Sequence, residues 1–129
     1  MVKVLVDTCV IIDYLRTPNK EKTHYYRLFS EEKNHAAISL VTVTELWAGK
    51  SISSKKALSY VNKVLNRTNV IVPDIKTAKL AGTIIRELMH NNSLADAYIA
   101  ATAIQHKLPL LTLHKKDFQN IPGLKLYDY

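Results

Sequence analysis

Short runs of uninterrupted apolar residues alternate along this chain with longer stretches in which apolar residues return every three or four positions. The short runs predict buried strands and the longer ones amphipathic helices. Val2–Val6 is the first strand, ended by Asp7-Thr8, and Cys9–Leu15 is a short apolar helix that stops before Pro18. Asn19 is set to cap the next helix, Lys20–Glu32, where charges mix with Tyr25, Tyr26, Leu28 and Phe29. Ala36–Leu40 is a second strand, after which Thr42 caps a helix that carries Glu45 and Trp47 and ends at Gly49. In Lys55–Asn66, the residues Ala57, Leu58, Val61, Val64 and Leu65 fall on one stripe. A third strand, Val70–Val72, leads to Pro73-Asp74 and a long helix with Ile75, Ala78, Ala81, Ile84, Ile85, Leu88 and Met89 on one side.

The pattern then breaks at Asn91-Asn92-Ser93, where Ser93 is a good N-cap. The helix that follows is crowded with small residues (Ala95, Ala97, Ala100, Ala101, Ala103) and can lie close against a sheet. Leu108–Thr112 is a buried strand that runs out into the polar loop His114-Lys115-Lys116-Asp117. A Pro122-Gly123 turn and a last strand, Lys125–Tyr127, complete the chain. Apolar strands separated by helices predict a parallel sheet covered on both faces. The expected architecture is one three-layer α/β/α domain over residues 1–129, with a short central parallel sheet.

In such sheets the working site lies beyond the C-terminal strand ends. Four acids fall there: Asp7 after the first strand, Glu45 after the second, Asp96 in the first turn of the small-residue helix, and Asp117 past the fourth strand. Each also has a local structural explanation. Thr42-Val43-Thr44-Glu45 reads as a capping box, Asp7 and Asp96 suit helix starts, and Asp117 suits a turn. Together they ask for more, because two carboxylates ~5 Å apart repel by about 3 kcal/mol at an effective dielectric near 20. Something positive is needed, and oxygen-only ligands suit Mg²⁺ or Mn²⁺. An ion held this way in a basic protein points to phosphodiester hydrolysis.

The charge balance supports an anionic partner. Eighteen Lys and Arg stand against eleven Asp and Glu, and Lys50, Lys55, Lys56, Lys63 and Arg67 follow Glu45 with no acid before Asp74. A solvated helix face explains those lysines equally, since charge alone names no partner. No apolar run is long enough to span a bilayer, and Met1-Val2-Lys3 opens no signal peptide. The lone Cys9 makes no internal disulfide, which suits a reducing cytoplasm, and reads as a small buried apolar residue. Other chemistries lack their residues. A strand-Asp phosphatase needs a second acid where Cys9 stands, and a thiol phosphatase needs Arg at Leu15. Glycine occurs only at 49, 82 and 123, which leaves no phosphate-cradling loop, and the histidines have no zinc spacing.

The chain resembles the PIN-domain ribonucleases, and among them the VapC-type toxins of toxin–antitoxin pairs. Val4–Leu15, Ser39–Gly49, Ala95–Ala103 and Leu111–Leu124 are similar to that family's four ordered blocks. The resemblance implies that Asp7, Glu45, Asp96 and Asp117 form a catalytic pocket for Mg²⁺ or Mn²⁺. Thr8 and Thr112 would support it, as would His114, which departs from the family's usual Asn or Asp. It further implies cleavage of RNA, often tRNA or rRNA, a homodimer, and a small antitoxin covering a groove to which Tyr25, Tyr26, Phe29 and Trp47 are candidates. Lys50, Lys55, Lys56, Lys115 and Lys116 are the candidate RNA contacts. A PIN-fold RNA-processing nuclease outside a toxin pair, or an inactive RNA-binding scaffold, is the alternative; four mutually repelling acids favour the enzyme.

Overall fold

The computed structural model describes residues 2–31, 34–88 and 93–128. Four strands, β1 (Val2–Val6), β2 (Asn34–Ser39), β3 (Asn69–Ile71) and β4 (Leu110–Leu111), form one all-parallel sheet in the order β3-β2-β1-β4. The two-residue period of a strand sorts its side chains between two cores. Leu5, Ala37, Ile71 and Leu110 pack with helices α5 (Ile75–Glu87) and α6 (Leu94–Gln105). Val4, Val6, Ala36, Ile38 and Leu111 pack on the other face with α1 (Thr8–Arg16), α2 (His24–Ser30) and α4 (Lys55–Arg67). The remaining helices are α3 (Leu40–Ala48) and the single turn α7 (Lys115–Phe118). This is the expected three-layer α/β/α arrangement with a short parallel sheet. In α6 the residues Ala97, Ala100, Ala101 and Ala103 are all buried, as the small-residue pattern requires.

Several local expectations change. Asn19 makes no side-chain cap; residues 20–22 form a 3₁₀ turn, and α2 is capped by Thr23, whose hydroxyl accepts from Tyr26 N–H at 3.3 Å. The cause is Lys20, whose Nζ reaches back to the carbonyls of Tyr14 (2.8 Å) and Leu15 (3.1 Å) at the end of α1. Thr42 does not cap α3 either. Ser39 does, accepting from Val41 N–H, so that the helix begins where the strand ends and Leu40 belongs to the helix. In α5 the buried face is Thr77, Ala81 and Ile84, while Ile75 is 75% exposed and Ala78 is exposed as well. Asp74 and Thr77 form a capping box there, and Gln105 of α6 donates to both carboxylate oxygens of Asp74, which turns the Thr77 face inward. The fourth strand shrinks to two residues, and Lys125–Tyr127 forms one bridge, Leu126 beside Leu110, in place of a strand. The loop at 114–117 is largely the helical turn α7. Met89, Asn91 and Asn92 lie outside the described residues.

Candidate active site

Asp7 is placed by the sheet. Its N–H donates to Leu111 O (2.9 Å), extending the β1–β4 ladder by one residue, and its side chain then caps α1 by accepting from Thr8 N–H at Oδ1 (2.8 Å). Its other oxygen, Oδ2, accepts from the Thr112 hydroxyl (2.7 Å) and the Cys9 thiol (3.2 Å). Thr112 is fully buried and its hydroxyl also accepts from His114 N–H (3.0 Å). Asp7 is therefore a helix cap and a site acid at once, only 4% exposed and held by three donors.

Glu45 sits within α3, and the early start of that helix removes the capping-box explanation for it. The Thr8 hydroxyl lies 2.6 Å from Glu45 Oε1 and 2.9 Å from the Thr42 hydroxyl. A carboxylate only accepts, so the Thr8 proton goes to Glu45 and Thr42 supplies the donor in the second bond. Asp96 is the third residue of α6, its N–H donating to the capping Ser93 hydroxyl at 3.1 Å. Asp117 is exposed on α7.

These four acids line one open cleft of about 360 Å³, with Thr8, Ser93 and His114 between them and Ile12 and Cys9 on one wall. Burial pushes the Asp96 carboxyl above the usual carboxylate range, and the negative charges of Asp7, Glu45 and Asp117 add to it against the opposing Ser93 hydroxyl. Among the described residues the ion pairs are Arg86–Glu87 and Lys115–Asp128, so none of the four acids has a basic partner. Nor are any three His, Cys, Asp or Glu side chains among the described residues set closely enough to be a ready-made ion site. An all-oxygen, strongly negative donor set fits a hard divalent cation, which would supply the charge the cleft lacks.

Other expectations sort cleanly. Thr112 lies beneath the cleft, behind Asp7, while Lys115 and Lys116 flank it on α7 and Lys50, Lys55 and Lys56 are exposed on or before the first turn of α4. Tyr25 is core, its ring 4.9 Å from Tyr14 and 4.5 Å from Phe29, whereas Tyr26 and Trp47 are exposed. Cys9 is a correction: it is half-buried and bonded to Asp7, with burial and the Asp7 charge pushing its thiol up to about 12. Its position two residues after a capping acid was the available signal. Thr42 and Ser93 were visible only as caps, since nothing in the sequence registers α3 against α1.

The sequence pattern of the PIN domain family matches residues 4–124. Ribonuclease VapC1 of Methanocaldococcus jannaschii is 34% identical over 131 positions, covering 98% of this chain and 88% of that protein. The tRNA(fMet)-specific endonuclease VapC of Salmonella typhimurium is 28% identical, across 100% of this chain and 99% of its own length. Among solved structures, VapBC2 from Rickettsia felis bound to a DNA fragment from its promoter superposes with a TM-score of 0.81 at 26% identity, covering 100% of this chain and 99% of that one.

Proposed function

This chain belongs to the PIN domain family, and from that membership we propose that it is a Mg²⁺- or Mn²⁺-dependent endoribonuclease, the toxin of a VapBC-type toxin–antitoxin pair. The observation that carries the reading is the gathering of Asp7, Glu45, Asp96 and Asp117 on one cleft with no basic partner among the described residues. These four residues would hold the ion, which would lower the pKa of a water and stabilise charge on the phosphoryl and leaving oxygens of the scissile bond.

The chain's own side chains keep that donor set in place. Thr112, Cys9 and the Thr8 N–H orient both oxygens of Asp7 and hold that carboxylate at the cleft. The Thr8 hydroxyl fixes Glu45 and links it to Asp7 through one residue. His114 and Asp117 occupy the solvent side of the cleft, where a substrate enters. Lys50, Lys55, Lys56, Lys115 and Lys116 hold flanking phosphates.

The substrate is RNA, a tRNA or rRNA, in line with the tRNA named for the Salmonella relative. A small antitoxin encoded alongside neutralises the enzyme, a reading that the likeness to VapBC2 from Rickettsia felis supports, and we infer that the protein acts as a cytoplasmic homodimer. No helix among the described residues is long and apolar enough to cross a membrane.

The test is digestion of total cellular RNA by purified protein with Mg²⁺ or Mn²⁺ and with EDTA, beside Asp7→Asn. Metal-dependent cleavage lost in Asp7→Asn is the expected result. The absence of both cleavage and metal binding in antitoxin-free protein would hand the fold to an RNA-binding scaffold. Cleavage that no cognate antitoxin suppresses would mark an RNA-processing enzyme outside a toxin pair.

A further inference from the structure

Four of the eleven acids line the cleft, which leaves seven for the rest of a chain that carries eighteen Lys and Arg. Part of that excess surrounds a second cavity of about 320 Å³ between the C-terminal end of α1 and the start of α4. Arg16, Lys20, Lys56 and Tyr60 wall it, and no acid among the described residues does. Lys20 is committed to the protein: its Nζ donates to the Tyr14 and Leu15 carbonyls and lies 5.0 Å and 4.6 Å from the rings of Tyr14 and Tyr60. It thereby covers the negative end of α1, which would otherwise repel an anion. Arg16 and Lys56 are exposed and, among the described residues, paired with no acid.

Helix α1 contributes residues to both the cleft and the cavity. Ile12 lines the cleft and Arg16, one turn further along the same face of α1, lines the cavity. From Thr8 to Arg16 the helix rises about 12 Å, within reach of a short run of single-stranded RNA.

We propose that this cavity is a phosphate subsite for the RNA strand, which runs along α1 from the acids and seats a flanking phosphodiester between Arg16 and Lys56. The planar Arg16 fork suits two phosphate oxygens and Lys56 adds a point charge. The assignment rests on reading the cleft as a nuclease site. An acidic protein segment would meet the same cations, but their place one helix length from the acids, on α1 itself, favours a strand that runs along that helix from the cleft.

The experiment is fluorescence anisotropy of a labelled, mixed-sequence, single-stranded RNA oligomer, in EDTA and over a range of salt. It compares wild type, Arg16→Ala/Lys56→Ala, and the charge-matched control Lys76→Ala/Lys79→Ala on α5, across the sheet. Circular dichroism checks that each variant folds. Losing one phosphate contact makes the slope of log K against log salt about 0.7 shallower and weakens binding about fivefold near 0.1 M salt. The control pair leaves the slope unchanged. An unchanged slope in Arg16→Ala/Lys56→Ala, or an equal change in the control, overturns the subsite. So does a loss of antitoxin affinity with RNA binding intact, which would assign the cavity to the protein partner. Cleavage of total RNA by the wild type is scored separately: its absence beside a shifted slope would sink the nuclease reading and leave the phosphate site standing.

Discussion

Thr112→Val isolates the hydrogen bond on which the cleft's most buried acid depends. Valine matches threonine in shape and fills the same fully buried space, so the change removes a hydroxyl and little else. The lost bond is the 2.7 Å contact to Asp7 Oδ2, and a hydrogen bond to a charged group contributes about 1.5–3 kcal/mol. The His114 N–H also loses its acceptor, but His114 is exposed and water replaces it. At about 2.1 cal/mol/K per residue, a chain of 129 residues has an unfolding entropy near 0.27 kcal/mol/K, so Tm falls by about 6–11 °C. Thr112→Ser keeps the hydroxyl and removes one buried methyl, for a loss near 1 kcal/mol, or about 4 °C. Differential scanning calorimetry of the three proteins without metal gives the comparison, and RNA cleavage should fall in the valine variant and persist in the serine variant. A valine variant as stable as wild type, or a serine variant as unstable as valine, would refute the argument that the hydroxyl pins Asp7.

Asp96→Asn should abolish cleavage and, without metal, raise Tm at neutral pH. Burial and the neighbouring acids hold the Asp96 carboxyl above its ordinary value, so its ionised form opposes folding; the gain should vanish as pH falls below the usual carboxylate range, where both states are protonated. A pH-independent difference would contradict this. Cys9, with its thiol pushed up to about 12, should react with Ellman's reagent at pH 8 roughly a thousandfold more slowly in the folded protein than in denaturant, and a fast reaction would remove its bond to Asp7. Lys107 follows α6 with φ 55°, so Lys107→Gly should stabilise the fold by up to ~1 kcal/mol in chemical denaturation, and a loss of stability would contradict that.

The layers, and the meeting of the four acids on one cleft, were legible because each rests on local chemistry. Apolar runs mark β1 and β2, and the Ser93 cap fixes the start of α6 and with it the place of Asp96. What failed was set by contacts between distant residues. Leu40 reads as strand by its apolarity, yet the Ser39 hydroxyl starts the helix there. In α5, Ala81 and Ile84 are buried as assigned, but Ile75 and Ala78 are exposed and Thr77 is buried in their place, beside Asp74, which Gln105 reaches from 31 residues away. Thr42 and Cys9 join the site only through partners on other elements or through the carboxylate they surround.

The absence of any loop between β2 and α3 has a consequence for how this chain tolerates change. Ser39 ends the strand and Leu40 begins the helix, so Glu45 is tied to the sheet by a fixed count of residues. One residue inserted between Ser39 and Glu45 would turn that carboxylate about 100° around the helix axis and away from Thr8. The same holds for Asp7, whose backbone is still in the ladder when its side chain starts α1. Length variation among functional descendants of this sequence should therefore be barred from 39–45 and 5–8, and should collect in the turns at 17–23 and 49–54, where gaining a residue displaces no acid.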